Sequence, residues 1–342
     1  KVPAPLSMVQ RISSVIFAGL MGSSVGEAAA LGGLLLPMMA EVGYKPGRAG
    51  GVIASGAILG PIIPPSTNFI LLGATISGLS ITKLFMIGLF PGIFIGLALM
   101  VVWFFIVRID GYNETITFTR EEKWKIIRDA TPAFMMPVLL LGGIRFGVFT
   151  PTEAAAVAVF YGLFVGVFIY RTINSISILV EIFAASIRAT AVVMLVVTCA
   201  GLFSWVASTV GLVEKGSAVL LAVSDNQWIV LLMINIILLL AGMLLDAISI
   251  YYVFLPFMLP IMAHFNWDPV WFGIMMTVNL AVGQVTPPVA VNLYVGANIS
   301  GISMERISKA ALPLIFASLL ALVVIIIFPD LSTFVPRMLG QM

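Results

Sequence analysis

Long apolar segments separated by short polar ones dominate the chain. The clearest are residues 84–107, 155–170, 228–245 and 311–328. Their lengths approach or exceed the roughly 20 residues that an apolar helix needs to cross a bilayer. The pattern therefore predicts an all-α polytopic membrane protein.

Two of the apolar helices are each interrupted by a pair of adjacent prolines. The sequence GPIIPPS at 60–66 interrupts 49–78, and GQVTPP at 283–288 interrupts 270–301. Proline removes an amide donor and clashes with the preceding turn, so each pair leaves carbonyls without helical partners. At membrane depth such carbonyls need protein, water or an ion to satisfy them. The sequence predicts two discontinuous helices whose freed carbonyl oxygens suit a hard cation.

The two interruptions belong to an internal repeat at an offset of 223 residues. Residues 36–80 align with 259–303 without a gap, giving 15 identities in 45 positions. The matches are rich in residues that shape the backbone, including Pro37/Pro260, Pro46/Pro269, Gly50/Gly273, Gly60/Gly283, Pro64/Pro287, Pro65/Pro288 and Gly73/Gly296. A duplication kept only for packing is the alternative. Broken helices at corresponding positions of two repeats are typical of secondary transporters.

Each broken helix follows two apolar stretches joined by a small or polar tip. In copy one, residues 8–21 and 25–39 flank Gly22-Ser23-Ser24. In copy two, residues 229–245 and 248–262 flank Asp246-Ala247. Arms of 14 or 15 residues are short for a full crossing, which predicts a re-entrant hairpin in copy one. The arms of copy two are long enough to span, so there the repeat alone supports a hairpin.

An odd number of crossings between the copies predicts that they are inverted. The five spans placed there are 49–79, 84–107, 131–147, 151–170 and 186–212. If the loop 44–48 is cytoplasmic, that side receives ten Lys or Arg residues and the other side four, as the positive-inside rule favours. The ten are Lys45, Arg48, Arg108, Arg120, Lys123, Lys125, Arg128, Arg171, Arg306 and Lys309.

This pattern divides the chain into four parts. Residues 1–79 form the first hairpin and broken helix of a transport domain. Residues 80–185 form scaffold helices and a cytoplasmic loop, in which 108–129 is expected to be solvated with a short amphipathic helix. Residues 186–301 hold the second hairpin and broken helix, and 302–342 a C-terminal arm and scaffold helix.

Acidic residues inside apolar sequence are candidates for function. Asp246, beside the second tip, is the best of them, with capping of a helix N-terminus as the alternative. For Glu27, one turn after the first tip, capping is favoured over ion contact. The sequence from Thr150 to Glu153 predicts a capping box with proline at the first helical position.

Composition narrows the function classes further. Hydrophobic residues make up 61% and charged residues 9%, against about 25% charged in soluble domains. A soluble fold is therefore excluded. One cysteine and one histidine exclude a disulfide within the chain and a Cys/His metal cluster. The chain has no nucleotide-binding P-loop, which leaves an ion gradient as the energy source. Because it opens on Lys1 rather than Met, an upstream portion is expected to be absent.

Taken together, several motifs resemble one known family. They are FAGLMGSSVGEAAA at 17–30, GPIIPPS at 60–66, LFMIGLFPG at 84–92, FTPTEA at 149–154, DPVWFG at 268–273 and GQVTPP at 283–288. This set resembles the large membrane subunit of tripartite ATP-independent periplasmic (TRAP) transporters across nearly the whole chain. One departure is Glu27, which stands where the family pattern leads us to expect aspartate.

The resemblance implies an elevator-type transporter in a bacterial inner membrane, and not an enzyme. Its implied partners are a small four-helix membrane subunit and a periplasmic substrate-binding protein. Sodium would drive uptake of a carboxylate such as a sialic acid, another sugar acid or a dicarboxylate, with no cofactor besides the coupling ion. The rival functions are an intramembrane enzyme using Asp246 and a cation channel.

Site residues follow from the resemblance position by position. The first sodium site would use Ser23, Ser24, Gly60, Ile63 and Pro65. The second would use Gly242, Asp246, Gly283, Thr286 and Pro288. Substrate would bind between them, near Ser66, Thr67, Asn68, Asn279 and Gln284.

Overall fold

The computed structural model describes residues 14–76, 78–111, 119–330 and 332, and all regular structure in these residues is helical. The helices are α1 (Ser24–Glu41), α2 (Pro46–Gly56), α3 (Thr67–Thr75), α4 (Ile81–Asp110), α5 (Arg120–Arg145), α6 (Pro151–Phe164), α7 (Ile176–Thr209), α8 (Leu212–Val223), α9 (Gln227–Leu244), α10 (Ala247–His264), α11 (Pro269–Gly283), α12 (Val291–Ser300) and α13 (Met304–Ile327). Residues 14–21 are helical as well. The predicted all-α class is confirmed.

Seven helices in the described residues are long and apolar enough to cross a membrane. They are Ile81–Asp110, Arg120–Arg145, Pro151–Ile169, Ile176–Thr209, Gln227–Leu244, Ala247–His264 and Met304–Ile327. This supports the predicted polytopic membrane protein. Both arms of the second hairpin, α9 and α10, are in this set, whereas α1 of the first hairpin is not, although all three helices are 18 residues long.

The starting positions of the helices show the same repeat as the sequence. Helices α1 and α10, α2 and α11, and α4 and α13 begin at positions separated by the same 223 residues as the sequence repeat. The Pro64–Pro65 and Pro287–Pro288 peptide bonds are both cis. The two copies therefore share a backbone plan that extends beyond the aligned segment, into the helices before and after it.

The described residues form two compact units, one made of those up to 116 and from 203 onward and the other of those between 117 and 202. In the first unit the two copies pack against each other reciprocally. Helix α1 packs on α12 of the other copy, and the equivalent pair, α10 and α3, packs in the same way. Likewise α13 packs on α2, and the equivalent α4 packs on α11. At the centre lie the first halves of the broken helices, buried throughout 49–56 and 270–283. Both breaks consequently begin inside the protein.

The second unit shows one correction to the sequence analysis. The expected solvated loop at 108–129 and the span at 131–147 are, from Arg120 onward, a single helix, α5. A capping box between Thr119 and Glu122 starts this helix, so the charged segment continues directly into the apolar one. Residues 112–118 of the expected loop lie outside the described residues, as do residues 8–13 of the first hairpin arm. The predicted capping box of Thr150 and Glu153 is confirmed.

Candidate functional site at the two helix breaks

The first break unwinds in steps between α2 and α3. A 3-10 turn at Ala57–Leu59 follows α2, and irregular turns then lead to Ser66, the N-cap of α3. The Ser66 hydroxyl donates to the carbonyl of Pro61 and accepts from the amide of Phe69 at 3.3 Å. Ser66, a predicted substrate residue, thus closes the turn with one bond and caps the restarting helix with the other.

The tip of the first hairpin is fastened to this break. The carbonyl of Gly22 accepts hydrogen bonds from the Thr67 amide at 3.2 Å and from the Thr67 hydroxyl at 2.7 Å. Gly22 has φ of +62°, and a Cβ there would lie 2.6 Å from the Pro65 carbonyl oxygen. Both the backbone angle and the space require glycine. Two predicted site residues, Pro65 and Thr67, therefore meet the hairpin tip.

Oxygen atoms converge on Gly60. A Cβ added to Gly60 would lie 2.8 Å from Glu27 Oε2 and 2.9 Å from the Ser23 carbonyl oxygen. The Glu27 side chain is fully buried, and Ser23 makes no side-chain capping bond to α1. Glu27 was expected to act as a cap, yet its carboxylate lies against the first break. Carboxylate and carbonyl oxygens are the ligands that hard cations prefer.

The second break repeats this arrangement with different atoms. The Ala290 amide, at the position equivalent to Thr67, donates to the carbonyl of Met243 at the second hairpin at 3.2 Å. Gly283 packs directly on Gly242, since a Cβ on Gly283 would lie 2.8 Å from the Gly242 Cα. The structure thus brings together two residues of the predicted second sodium site.

Thr286 lies within the turn that follows Gly283. Its hydroxyl donates to the Val282 carbonyl at 2.7 Å, and its amide donates to the Gly283 carbonyl at 2.9 Å. The hydroxyl donor is therefore used locally, while the lone pairs of the oxygen are still able to coordinate a cation. Pro288, another predicted ligand, is exposed at the outer end of the turn.

Asp246 is the N-cap of α10. Its carboxylate accepts bonds from the Ser249 amide at 3.1 Å and from the Ser249 hydroxyl at 2.6 Å. The capping role, which was the alternative for this residue, is therefore what the structure shows. Its role as a sodium ligand stays a prediction.

A buried side-chain bond joins the two copies at the second break. The Ser24 hydroxyl donates to Oε1 of Gln284, and both residues are buried. Ser24 is a predicted residue of the first sodium site and Gln284 a predicted substrate residue. The bond therefore places the start of the first hairpin's second arm beside the second break.

Asn279 lies apart from this group. Its Nδ2 donates to the backbone oxygen and to Oδ1 of Asn235 on α9, both at 2.9 Å. The pair lies at the edge of a cavity of about 370 Å³ that is lined mainly by aliphatic side chains of α9 and α13. The bonds of the Asn279 side chain in the described residues are to Asn235, and Asn68 lies buried on the first turn of α3.

The sequence motifs did not indicate Asn235 or Asn292. Both are buried amides within apolar helices. A single polar residue inside an apolar run was the available signal, since such residues in membrane helices usually face the interior of the bundle.

Comparison with known proteins decides the family. The model of the tripartite ATP-independent periplasmic transporter DctM component matches residues 1–331. The chain belongs to the DctM family of TRAP transporters. The resemblance noted in the sequence motifs is confirmed over almost the whole chain.

Curated TRAP proteins from several bacteria are similar to this chain. It is 34% identical over 337 residues to the sialic acid TRAP transporter large permease protein SiaM of Vibrio cholerae, covering 98% of this chain and 78% of that protein. It is 35% identical over 329 residues to the 2,3-diketo-L-gulonate TRAP transporter large permease protein YiaN of Escherichia coli, covering 96% and 77%. With the C4-dicarboxylate TRAP transporter large permease protein DctM of Pseudomonas aeruginosa it shares 32% over 336 residues, covering 98% and 78%.

Membership in the TRAP family fixes the broad function. The chain is a transporter permease subunit, and the prediction that it is not an enzyme is confirmed because its relatives are named as permeases. It is a multi-pass protein of the bacterial inner membrane, in line with its seven long apolar helices.

Proposed function

We propose that this chain is the sodium-coupled membrane subunit that imports a carboxylate delivered by a periplasmic binding protein. The observation that carries the proposal is a similar contact in both copies. The amide of Thr67, at the start of α3, donates to the Gly22 carbonyl of the first hairpin, and the amide of the equivalent Ala290, just before α12, donates to the Met243 carbonyl of the second. Each hairpin and its break thus form one unit rich in backbone oxygen.

Sodium would bind at each of these two units. The first site uses oxygens of Ser23, Ser24, Gly60, Ile63 and Pro65, and the second uses Gly242, Asp246, Gly283, Thr286 and Pro288. The oxygens that converge on Gly60 and the hydroxyl of Thr286 support this assignment. Hard cations prefer oxygen ligands, which irregular backbone can supply.

The substrate would bind between the sodium sites, near Ser66, Thr67, Asn68, Asn279 and Gln284. The Ser24–Gln284 bond supports this position, because it joins the first hairpin to the second break. The start of a helix such as α3 carries the positive end of the helix dipole, which favours a carboxylate. The relatives are named for sialic acid, 2,3-diketo-L-gulonate and C4-dicarboxylates, which are all carboxylates.

Alternating access would follow an elevator mechanism. We place both hairpins and both broken helices in a moving transport domain of inverted repeats, and the helices of 80–185 and 302–342 in a scaffold. The reciprocal packing of α1 on α12 and of α10 on α3 supports one rigid body made from both copies. A small four-helix membrane subunit and the binding protein would complete the tripartite assembly.

The test is uptake in liposomes that contain the purified permease and its small subunit. Radiolabelled N-acetylneuraminate is supplied with or without the binding protein, under an inward sodium gradient, no gradient or a proton gradient. The proposal expects uptake only with the binding protein and the sodium gradient. Flux that persists without the binding protein and without sodium would contradict it and would favour a channel.

A further inference from the structure

A buried amide at the second break lacks bonding partners. Asn292 is the second residue of α12, and its side chain is fully buried. Within the described part of the chain, neither Oδ1 nor Nδ2 of Asn292 has a hydrogen-bond partner. Buried polar atoms are nearly always paired, and leaving one unpaired costs about 1–3 kcal/mol. Asn292 therefore requires a partner from outside the described chain.

Its helix directs Asn292 toward the first break. One turn further along, Gly296 faces Gly50 and Ala54 of α2, and residues four apart share a helix face. The start of α2 lies beside Arg306, which follows the end of α12 in the sequence. The distance from a Cβ added at Gly47 to the Arg306 carbonyl oxygen would be 3.5 Å. Helices α2 and α12 thus run in opposite directions. Asn292 consequently lies nearest the end of α2, where the first break begins.

Asn292 also belongs to the polar contact between the copies. Its backbone amide donates to the Gln284 carbonyl at 3.0 Å, and Oε1 of Gln284 accepts from the Ser24 hydroxyl. Three buried polar residues from both copies therefore share one region. In copy one, the position equivalent to Asn292 is Phe69, a fully buried aromatic ring. The shared backbone plan therefore does not itself require an amide at this position.

The chemistry of the amide selects among possible partners. An asparagine side chain offers two N–H donors and a carbonyl acceptor. A sodium ion alone would satisfy only Oδ1, and a carboxylate without hydroxyl groups would satisfy only Nδ2, so both would have to bind at this one amide. A hydroxylated carboxylate satisfies both, because its carboxylate accepts from Nδ2 while a hydroxyl donates to Oδ1.

We propose that Asn292 contacts the substrate directly and that this substrate is a hydroxylated carboxylate rather than a plain dicarboxylate. The inference rests on the proposed function, since it assigns a residue and a substrate class to the same transport site. It predicts that the identity of residue 292 controls which acids bind, while leaving assembly of the permease intact.

The experiment measures the thermal unfolding of the purified permease with its small subunit by tryptophan fluorescence. The probes are N-acetylneuraminate, D-gluconate and succinate, each titrated in sodium and in potassium chloride. In sodium, the two hydroxylated acids should raise the Tm of the wild type more than succinate does. Asn292→Leu should weaken their apparent affinity roughly 10- to 100-fold, as expected for loss of a hydrogen bond to a charged group.

The Tm without ligand separates a binding role for Asn292 from a structural role. Loss of a structural hydrogen bond would lower this Tm, whereas loss of an unpaired amide should raise it. Without ligand, Asn292→Leu should melt a few degrees higher than the wild type, because leucine removes an unpaired buried amide. The control is Ser318→Ala, which removes a buried hydroxyl that donates to the Leu314 carbonyl at 2.9 Å. That variant should melt lower and keep the wild-type affinity for every probe. Asn292→Ser serves in place of leucine if the leucine variant fails to assemble.

Three results would overturn the inference. One is equal affinity for the hydroxylated acids in wild type and variant, which would mean that water satisfies the amide. Another is stronger stabilisation by succinate, and the last is stabilisation of the wild type by none of the probes. Sodium-driven uptake by the wild type with no effect at residue 292 would reject this inference alone and leave the proposed function standing.

Discussion

Gly283 and Gly242 are in backbone contact, so closely that a Cβ on Gly283 would lie 2.8 Å from the Gly242 Cα and 2.9 Å from its carbonyl carbon. The contact brings the first arm of the second hairpin against the point where α11 ends. Because both partners are main chain, neither can move aside as a flexible side chain would.

Gly283→Ala should therefore separate the second hairpin from its break. Overpacking of this kind costs about 1–3 kcal/mol, so the variant should melt several degrees lower and lose uptake. The matched control is Gly33→Ala in α1, where an added Cβ meets nothing within 4 Å. Removing a helical glycine there should leave the Tm unchanged or raise it slightly. Equal behaviour of the two variants in a thermal melt would show that the contact is not tight.

The Ser24–Gln284 bond should couple the two copies energetically. A double-mutant cycle with Ser24→Ala and Gln284→Leu should give a coupling of about 0.5–1.5 kcal/mol in apparent stability. The same cycle with Ser300→Ala and Gln284→Leu supplies a reference, since the Ser300 hydroxyl bonds only to carbonyls of its own helix. Additive effects for Ser24 and Gln284 would contradict a bond between the copies.

Much of the fold was predictable because it depends on periodic and punctuating residues. Apolar length predicted the spans, and the shared prolines and glycines predicted that helices such as α2 and α11 would begin in equivalent places. The boundary of α5 was missed, since a charged segment reads as a loop until a capping box such as Thr119 and Glu122 is taken into account.

The sites were less predictable because they combine residues distant in sequence. The repeat and the motifs indicated Gly60 and Gly283 as the centres of the two breaks. The position of Glu27 against Gly60, the capping role of Asp246 and the pairing of Asn279 with Asn235 depend on side-chain directions. Spacing along the chain does not determine these.

An ion pair lies between the start of α2 and the end of α4. Nε of Arg48 donates to Asp110 Oδ2 at 2.9 Å, and Nη1 donates to the Ala310 carbonyl at 3.4 Å. The Asp110 side chain is 10% exposed, so removing its partner leaves a largely buried charge. Arg48→Met should lower stability by about 1–3 kcal/mol, measured by thermal unfolding.

The control for this pair is Lys309→Met. Lys309 bonds to Glu305 at 2.7 Å, but both side chains are more than 70% exposed, so the Tm should stay the same. A loss at Arg48 no larger than at Lys309 would show that the Arg48–Asp110 pair is screened by solvent.

Thr286→Ala should weaken the sodium dependence of uptake more than it lowers expression. The substitution removes an oxygen of the proposed second site, and the hydroxyl's own bond stays within the turn. Thr75→Ala is the matched control, because the Thr75 hydroxyl makes the same type of bond, to the Leu71 carbonyl at 2.8 Å, away from the breaks. Equal loss of folding and transport in Thr286→Ala would favour a purely structural role.

The central claim is that the two breaks form a pair of sodium sites that drive uptake. Its most direct test is the initial rate of binding-protein-dependent uptake in liposomes as external sodium is titrated at constant ionic strength. Two coupled sites predict no uptake without sodium, a sigmoidal rise in the wild type, and a curve shifted to higher sodium and closer to hyperbolic in Thr286→Ala. A rate that does not depend on sodium would contradict the account.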